Sequence, residues 1–181
     1  MQLNSPNYLH FKNFMPKDEF DKLANFVNSS SFSWHWRDSA ARVDDKYNFH
    51  HMLYRTNPDN NEEIKSSCYQ PFEGFFASIL KAFNGKILVH AKMVLSVPRP
   101  TKEYTGVHYD LVNNDGSPVS DKANILIFNF TTCNGGTQIN GIDVPSVENS
   151  AVLFSNSVSH CGIIQTDKPR RILLNFVFIE N

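Results

Sequence analysis

Arg170-Arg171-Ile172-Leu173-Leu174-Asn175-Phe176-Val177-Phe178-Ile179 carries, after its two arginines, a run in which only Asn175 is polar. The β-branched and aromatic content predicts a strand. A strand wetted on one side alternates polar and apolar residues, whereas an almost continuous apolar run implies burial of both faces. Ile125-Leu126-Ile127-Phe128-Asn129-Phe130 reads the same way. Two such strands need apolar cover above and below, an interior on one face and a helical layer on the other.

Outward from these strands the pattern persists. From Lys86 onward, Ile87–Val97, Ala123–Thr131, Ala151–Phe154 and Ile172–Ile179 are strand-like runs separated by Gly, Asn, Asp and Pro clusters. Within Thr137–Val144, Asn140-Gly141 sits between two short strand-like segments, the dipeptide favoured in a tight hairpin turn. Upstream, Phe20, Leu23, Phe26 and Val27 recur at helical spacing after Pro16, with Asp18 and Glu19 in the first turn. A second helix is expected from about Glu62 to Phe83, interrupted by Pro71 and ended by Asn84-Gly85. The combination is a mainly β (α+β) chain: a double-stranded β-helix, or cupin-like jelly roll, backed by N-terminal helices. It reads as one domain over residues 1–181, with 1–85 a helical lead-in and cover and 86–181 the jelly-roll core. No repeat or linker divides it.

The 181 residues are 41% apolar and 13% aromatic, enough for one well-buried core. With 17 Lys and Arg against 18 Asp and Glu, the chain lacks the cationic excess that broad phosphate contact requires, so nucleic acid is not the expected partner. No apolar run approaches the roughly 20 residues of a membrane span. The polar start, Met1–His10, has no secretion-signal pattern, and a cytoplasmic location is the default expectation. Cys68, Cys133 and Cys161 lack Cys-x-x-Cys spacing and read as reduced thiols rather than a disulfide framework or zinc site.

The chemistry lies in His108-Tyr109-Asp110 and a distant His160. Residues two apart on an extended segment share a side, so the imidazole of His108 and the carboxylate of Asp110 can converge. Two imidazoles and one carboxylate occupy one face of an octahedron, leaving three positions open, which suits Fe(II) that must bind an organic co-substrate and oxygen together. A closed structural zinc site offers no such vacancy. An arginine supplies the planar, permanently charged fork that pairs with a carboxylate.

His108-x-Asp110, then Gly135-Gly136-Thr137, then His160 and Arg171-Ile172-Leu173-Leu174-Asn175-Phe176 resemble the 2-oxoglutarate and Fe(II)-dependent oxygenase superfamily, on its prolyl-hydroxylase-like side. The resemblance covers about residues 86–179. The lead-in, with Asn13-Phe14-Met15-Pro16 and Trp34-His35-Trp36, is similar to that of short phage-encoded members, for which the location would be the host cytoplasm. The resemblance implies a dioxygenase that hydroxylates an unactivated carbon of a small molecule or peptidyl residue. Its cofactors would be Fe(II), 2-oxoglutarate and O2, with ascorbate as a further requirement of some members. His108, Asp110 and His160 are the implied iron ligands, catalytic in that sense, and Arg170 or Arg171 the co-substrate's partner.

Neighbours on a strand face opposite ways, so only one arginine enters the interior. The family pattern favours Arg171, with Leu173, Asn175 and Val177 on its face; the opposite register would send in Arg170 with Ile172, Leu174, Phe176 and Phe178. Tyr104, Asn129 and Asn175 are further candidates for contact with the co-substrate, each also readable as a satisfied structural group. The tyrosine that many relatives carry about ten residues before the first ligand is Pro98 here. His10, His35, His50, His51 and His90 read as structural or surface residues, and Trp34 and Trp36 as core or cover, with the mouth of a substrate site as the other reading. Arg99 reads as the partner of a surface carboxylate or of an anionic substrate. Asn113–Pro118 reads as a loop, either a solvated turn or a lid. The competing reading is a cupin-type metal-binding protein that does not use 2-oxoglutarate. A monomer or weak homodimer is the expected state.

Overall fold

The computed structural model describes residues 7–39, 47–56, 62–119 and 122–181. Twelve strands, two helices and a 3-10 turn run in the order β1 (Leu9–Lys12), α1 (Lys17–Val27), β2 (His35–Arg37), β3 (Asn48–Thr56), β4 (Glu63–Lys65), the turn Gln70–Phe72, α2 (Glu73–Ala82), β5 (Gly85–Ser96), β6 (Glu103–Tyr104), β7 (Ala123–Asn129), β8 (Gly136–Ile139), β9 (Ile142–Pro145), β10 (Ser150–Ser155), β11 (His160–Ile164) and β12 (Arg171–Glu180). They form two antiparallel sheets. The larger has the order β1-β10-β7-β12-β5-β3-β2, with β4 pairing β3, and the smaller the order β6-β11-β8-β9.

β12 lies at the centre of the larger sheet, between β5 and β7, as its nearly unbroken apolar run requires. Its two faces have separate jobs. Ile172, Leu174, Phe176 and Phe178 enter the main core with Phe72, Phe76, Ile79 and Phe128, under the helices. Leu173 and Val177 enter a second cluster with Ile125, Ile127, Ile139 and Val144, between the sheets. α1 buries Phe20, Leu23 and Val27, and Phe20 stacks on Phe130. This is the double-stranded β-helix with a helical backing.

The first 85 residues differ from a purely helical lead-in, because they also supply β1, β2, β3 and β4 to the larger sheet. β3 escapes detection since Asn48-Phe49-His50-His51 mixes polar groups into both faces, one lining a cavity. The expected helix from about Glu62 is also shorter. Glu63–Lys65 is strand, and the helix begins only after the turn at Gln70–Phe72, where Pro71 cannot donate to a preceding turn. It stops at Ala82, and Asn84 just beyond takes the left-handed conformation at φ 51°.

The hairpin β8-β9 turns on Asn140 and Gly141, at φ 47° and 79°, the positive pair a two-residue turn demands. Gly135 and Gly136 have a different purpose. A Cβ on Gly135 would lie 2.7 Å from the carbonyl oxygen of Ile163, and one on Gly136 would strike the Val144 carbonyl. Their bare backbones let the small sheet close tightly around Thr137, which faces the cavity.

Candidate metal centre

The two sheets flank a cleft lined by His108, Asp110, His160, Arg171 and Asn175 among others. His108 and His160 are pinned backbone to backbone: each N–H donates to the other's carbonyl, at 2.9 and 3.1 Å. Their ring centroids stand 4.4 Å apart. Nε2 of His108 lies 3.7 Å from Asp110 Oδ1, and Nε2 of His160 lies 3.6 Å from Asp110 Oδ2. One donor atom from each of the three falls within 4.8 Å of the others, the only such metal-sized cluster among the described residues.

Each donor is aimed. Nδ1 of His108 donates to the Gly106 carbonyl at 2.8 Å, which leaves Nε2 free as a ligand lone pair. The ring of Phe154 meets that of His160 edge-on at 5.0 Å. Asp110 is held from two directions. Asn156, fully buried, donates to the Leu111 carbonyl and accepts from the Leu111 N–H, clamping the next residue in the chain. The Asn175 amide donates to Asp110 Oδ2 at 2.8 Å, and His90 Nε2 donates to the Asn175 oxygen at 2.8 Å. His90, Asn175 and Asp110 thus form a chain of hydrogen bonds that ends on the carboxylate. His90 read as structural or surface in sequence, and only the pairing of β5 with β12 reveals this supporting place.

Burial opposes the ionised form of Asp110, but the positive potential of His160, Lys92 and His90 and the Asn175 amide hold its carboxyl below the usual range. His160 moves the other way: burial pushes it down to about 4, against the pull of Asp110. It is therefore a neutral imidazole at physiological pH, the form that binds a metal. An unfolded histidine takes up its proton near 6.5, and the folded one does so only near 4. As pH falls through that window the unfolded state binds more protons, so this contribution to stability is lost on acidification. Chemical-denaturation midpoints of metal-free protein should fall from pH 7 to pH 4, and His160→Phe should flatten that fall.

Arg171 enters the cleft and Arg170 is exposed. Leu173 and Asn175 share its inward face. The guanidinium is fully buried, and burial lowers it only to about 10, so it keeps its charge. Nη2 donates to Thr137 Oγ1 at 3.2 Å, Nε has no partner, and among the described residues no carboxylate pairs with it. An unpaired buried cation costs several kcal/mol unless an anion arrives. The donor set and this orphaned fork together fit a metal bound with an anionic organic ligand.

Two other candidates fall elsewhere. Tyr104 is exposed on the edge strand β6, and its hydroxyl donates to Asp143 at 2.9 Å on the outside of the small sheet. Asn129 is buried but satisfied away from the cleft, accepting from Ser146 and donating to Ser150. Conversely, Arg37, His50 and Lys92 line the cleft without a motif that singles them out in sequence, and Thr137, from the Gly135-Gly136-Thr137 stretch, lines it with them. His51 is structural, between the Ser33 carbonyl and Ser66. Trp36 stacks on Tyr47, and the Arg99 guanidinium lies over the Tyr47 ring, 4.0 Å from its centroid. Asn113–Pro118 is a turn bonded to itself through Asp115, Ser117 and the Val112–Pro118 bridge.

No family model matches the sequence, and no curated protein does. Solved structures do match its fold. A prolyl-4-hydroxylase from Pseudomonas putida is similar at a TM-score of 0.66 and 14% identity, over 99% of this chain and 95% of that one. A member of the 2-oxoglutarate and Fe(II) oxygenase family from Burkholderia pseudomallei is similar at 0.70 and 9% identity, over 97% and 86%. The viral collagen prolyl hydroxylase of Paramecium bursaria Chlorella virus 1 is similar at 0.54 and 11% identity, over the whole of both chains. The chain therefore has the double-stranded β-helix fold found in 2-oxoglutarate and Fe(II) oxygenases.

Proposed function

We propose that the protein is an Fe(II)- and 2-oxoglutarate-dependent dioxygenase, with 1–181 acting as one domain. His108, Asp110 and His160 would hold the iron, and Arg171 the far carboxylate of 2-oxoglutarate. The observation that carries this reading is the pairing, within one cleft, of an open three-donor cluster with a buried, unpaired guanidinium. Arg171 and Asn175 are four residues apart on β12, roughly 13 Å between Cα atoms, and their side chains shorten that span to the reach of a small dicarboxylate.

Bound Fe(II) and 2-oxoglutarate supply the oxidising chemistry, in which O2 drives release of succinate and CO2 and oxidation of an unactivated carbon. The chain's own contribution is placement. The backbone pairing of His108 with His160 fixes the two imidazoles, and the Asn175 and His90 chain fixes the carboxylate. Thr137 orients the guanidinium fork, and apolar Val94, Ile127, Ile164 and Leu173 keep the intervening wall dry. Hydroxylation of a small molecule or peptidyl residue is the outcome we favour.

The test is aerobic incubation of purified protein with Fe(II), ascorbate and carbon-labelled 2-oxoglutarate. Metal-dependent formation of labelled succinate is expected, slow without a primary substrate and accelerated by one. Iron bound at one equivalent, with no succinate above a metal-only control and no saturable binding of 2-oxoglutarate, would instead identify a cupin-type metal protein.

A further inference from the structure

The cleft holds more positive charge than the proposed reaction uses. Fe(II) and Arg171 would be balanced by Asp110 and the two carboxylates of 2-oxoglutarate, which leaves that group neutral as a whole. Lys92 and Arg37 remain, and among the described residues lining the cleft Asp110 is the one acid.

The sheet register shows where these cations stand. On the inner face Asn175 of β12 is opposite Lys92 of β5, which is opposite Met52 of β3. Leu173 is opposite Val94, which is opposite His50, which is opposite His35 of β2. Arg171 is opposite Ser96 of β5, and Arg37 is opposite Asn48 of β3. Arg37 and Arg171 therefore come from β2 and β12, three strand spacings or roughly 14 Å apart between Cα atoms, on opposite sides of the cleft's inner face. Lys92 is separated from Arg171 along the strands by the row of Val94 and Leu173, and flanks the Asp110 support instead. Arg37, His50 and Lys92 form their own wall, on the β2, β3 and β5 side.

Within this wall the groups repel. Burial depresses the basicity of both His50 and Lys92, and the charge of Arg37 depresses each further, against the pull of Asp110 on Lys92. Nδ1 of His50 is buried without a partner. Lys92 makes no hydrogen bond or close ion pair among the described residues, and its attraction to Asp110 acts at a distance. Methionine or leucine would fill a strand position here at less cost.

We infer that this wall receives the primary substrate, and that the substrate is an organic anion whose carboxylate is held by Lys92, with Arg37 adding positive potential farther along the wall. The inference rests on the oxygenase reading and adds the substrate's class to it. A carboxylate at Lys92 would lie on the metal side of the cleft, anchoring a short molecule with a carbon near the iron. A free acid and an acidic side chain on a peptide offer the same chemistry.

The test is calorimetric, on protein loaded with 2-oxoglutarate and with Mn(II) in place of iron, so that nothing turns over. The probes are hexanoate, benzoate and phenylacetate, each against its primary amide, and a capped tripeptide with a central glutamate against its glutamine counterpart. At least one acid should bind saturably and at least about tenfold more tightly than its amide, the preference a charge-assisted contact confers. Free acids or the peptide will lead according to the source. Lys92→Met should reduce that preference to below about threefold while changing 2-oxoglutarate affinity by less than about threefold, with Arg37→Gln weakening the acid in the same direction. Lys92→Met replaces a costly buried cation with a similar apolar shape, so its melting temperature should hold or rise.

Equal binding of acids and amides, or no saturable binding by any probe, overturns the inference. So does a Lys92→Met variant that loses 2-oxoglutarate rather than the acid, which would assign Lys92 to the co-substrate. If 2-oxoglutarate itself fails to bind, the oxygenase reading fails. The acid preference, measured also on metal-free protein, then stands or falls by itself.

Discussion

Arg171→Met is expected to raise the 2-oxoglutarate concentration needed for half-maximal succinate release by about a hundredfold, the loss of a bidentate charged contact worth about 3 kcal/mol. Iron affinity should be unchanged, because the guanidinium lies at the other end of the cleft from the triad. Stability should also hold. The guanidinium is buried, with Thr137 its one polar contact among the described residues, so an apolar side chain of similar length removes a desolvated charge instead of a supporting bond. Arg171→Lys should fall between, keeping the charge and losing the fork. Arg170→Met should leave the kinetics as they were, since Arg170 is exposed. Steady-state succinate assays over a range of 2-oxoglutarate, with thermal melts of each variant, separate these outcomes. A strong effect at Arg170 with none at Arg171 would refute the assignment.

Asp110→Ala is expected to abolish activity outright, beyond the reach of added co-substrate. Two imidazoles fixed by each other's backbones still present nitrogen, yet without the carboxylate the metal loses both a donor and the negative charge that offsets its own. Iron should fall from one equivalent to background after desalting. Asn175→Ala offers a graded comparison: it removes the hydrogen bond that aims Asp110 while leaving all three ligands. Supporting partners of this kind typically contribute about 10–100-fold in metal affinity or activity. Retention of one equivalent of iron by Asp110→Ala would show that the three residues are not the site.

The larger part of this arrangement is legible in the sequence for a simple reason. Strands such as Ile125–Phe130 and Ile172–Ile179 must be buried on both faces, and Asn140-Gly141 can hardly be anything but a tight turn. His108 and Asp110 are two apart, so local geometry alone puts them on one side. What escapes is everything set by pairing across the sheets. His90 supports Asp110 only because β5 lies in one register beside β12. Arg37, His50 and Lys92 line one side of the cleft only because β2, β3 and β5 are neighbours. Tyr104 is close to His108 and Asp110 in sequence but faces outward, because β6 is a short edge strand whose outer face meets Asp143. β3 itself hides because residues lining a polar cleft break the alternation by which strands are recognised.

β12 follows every other strand in the chain and yet occupies the middle of the larger sheet, between β5 and β7. Closing the sheet around β12 joins segments up to about ninety residues apart, and contacts so distant in sequence form slowly. β12 also brings Arg171 and Asn175 to the cleft, so a chain in which β12 is displaced would lose the amide that aims Asp110 together with the central pairing of its larger sheet.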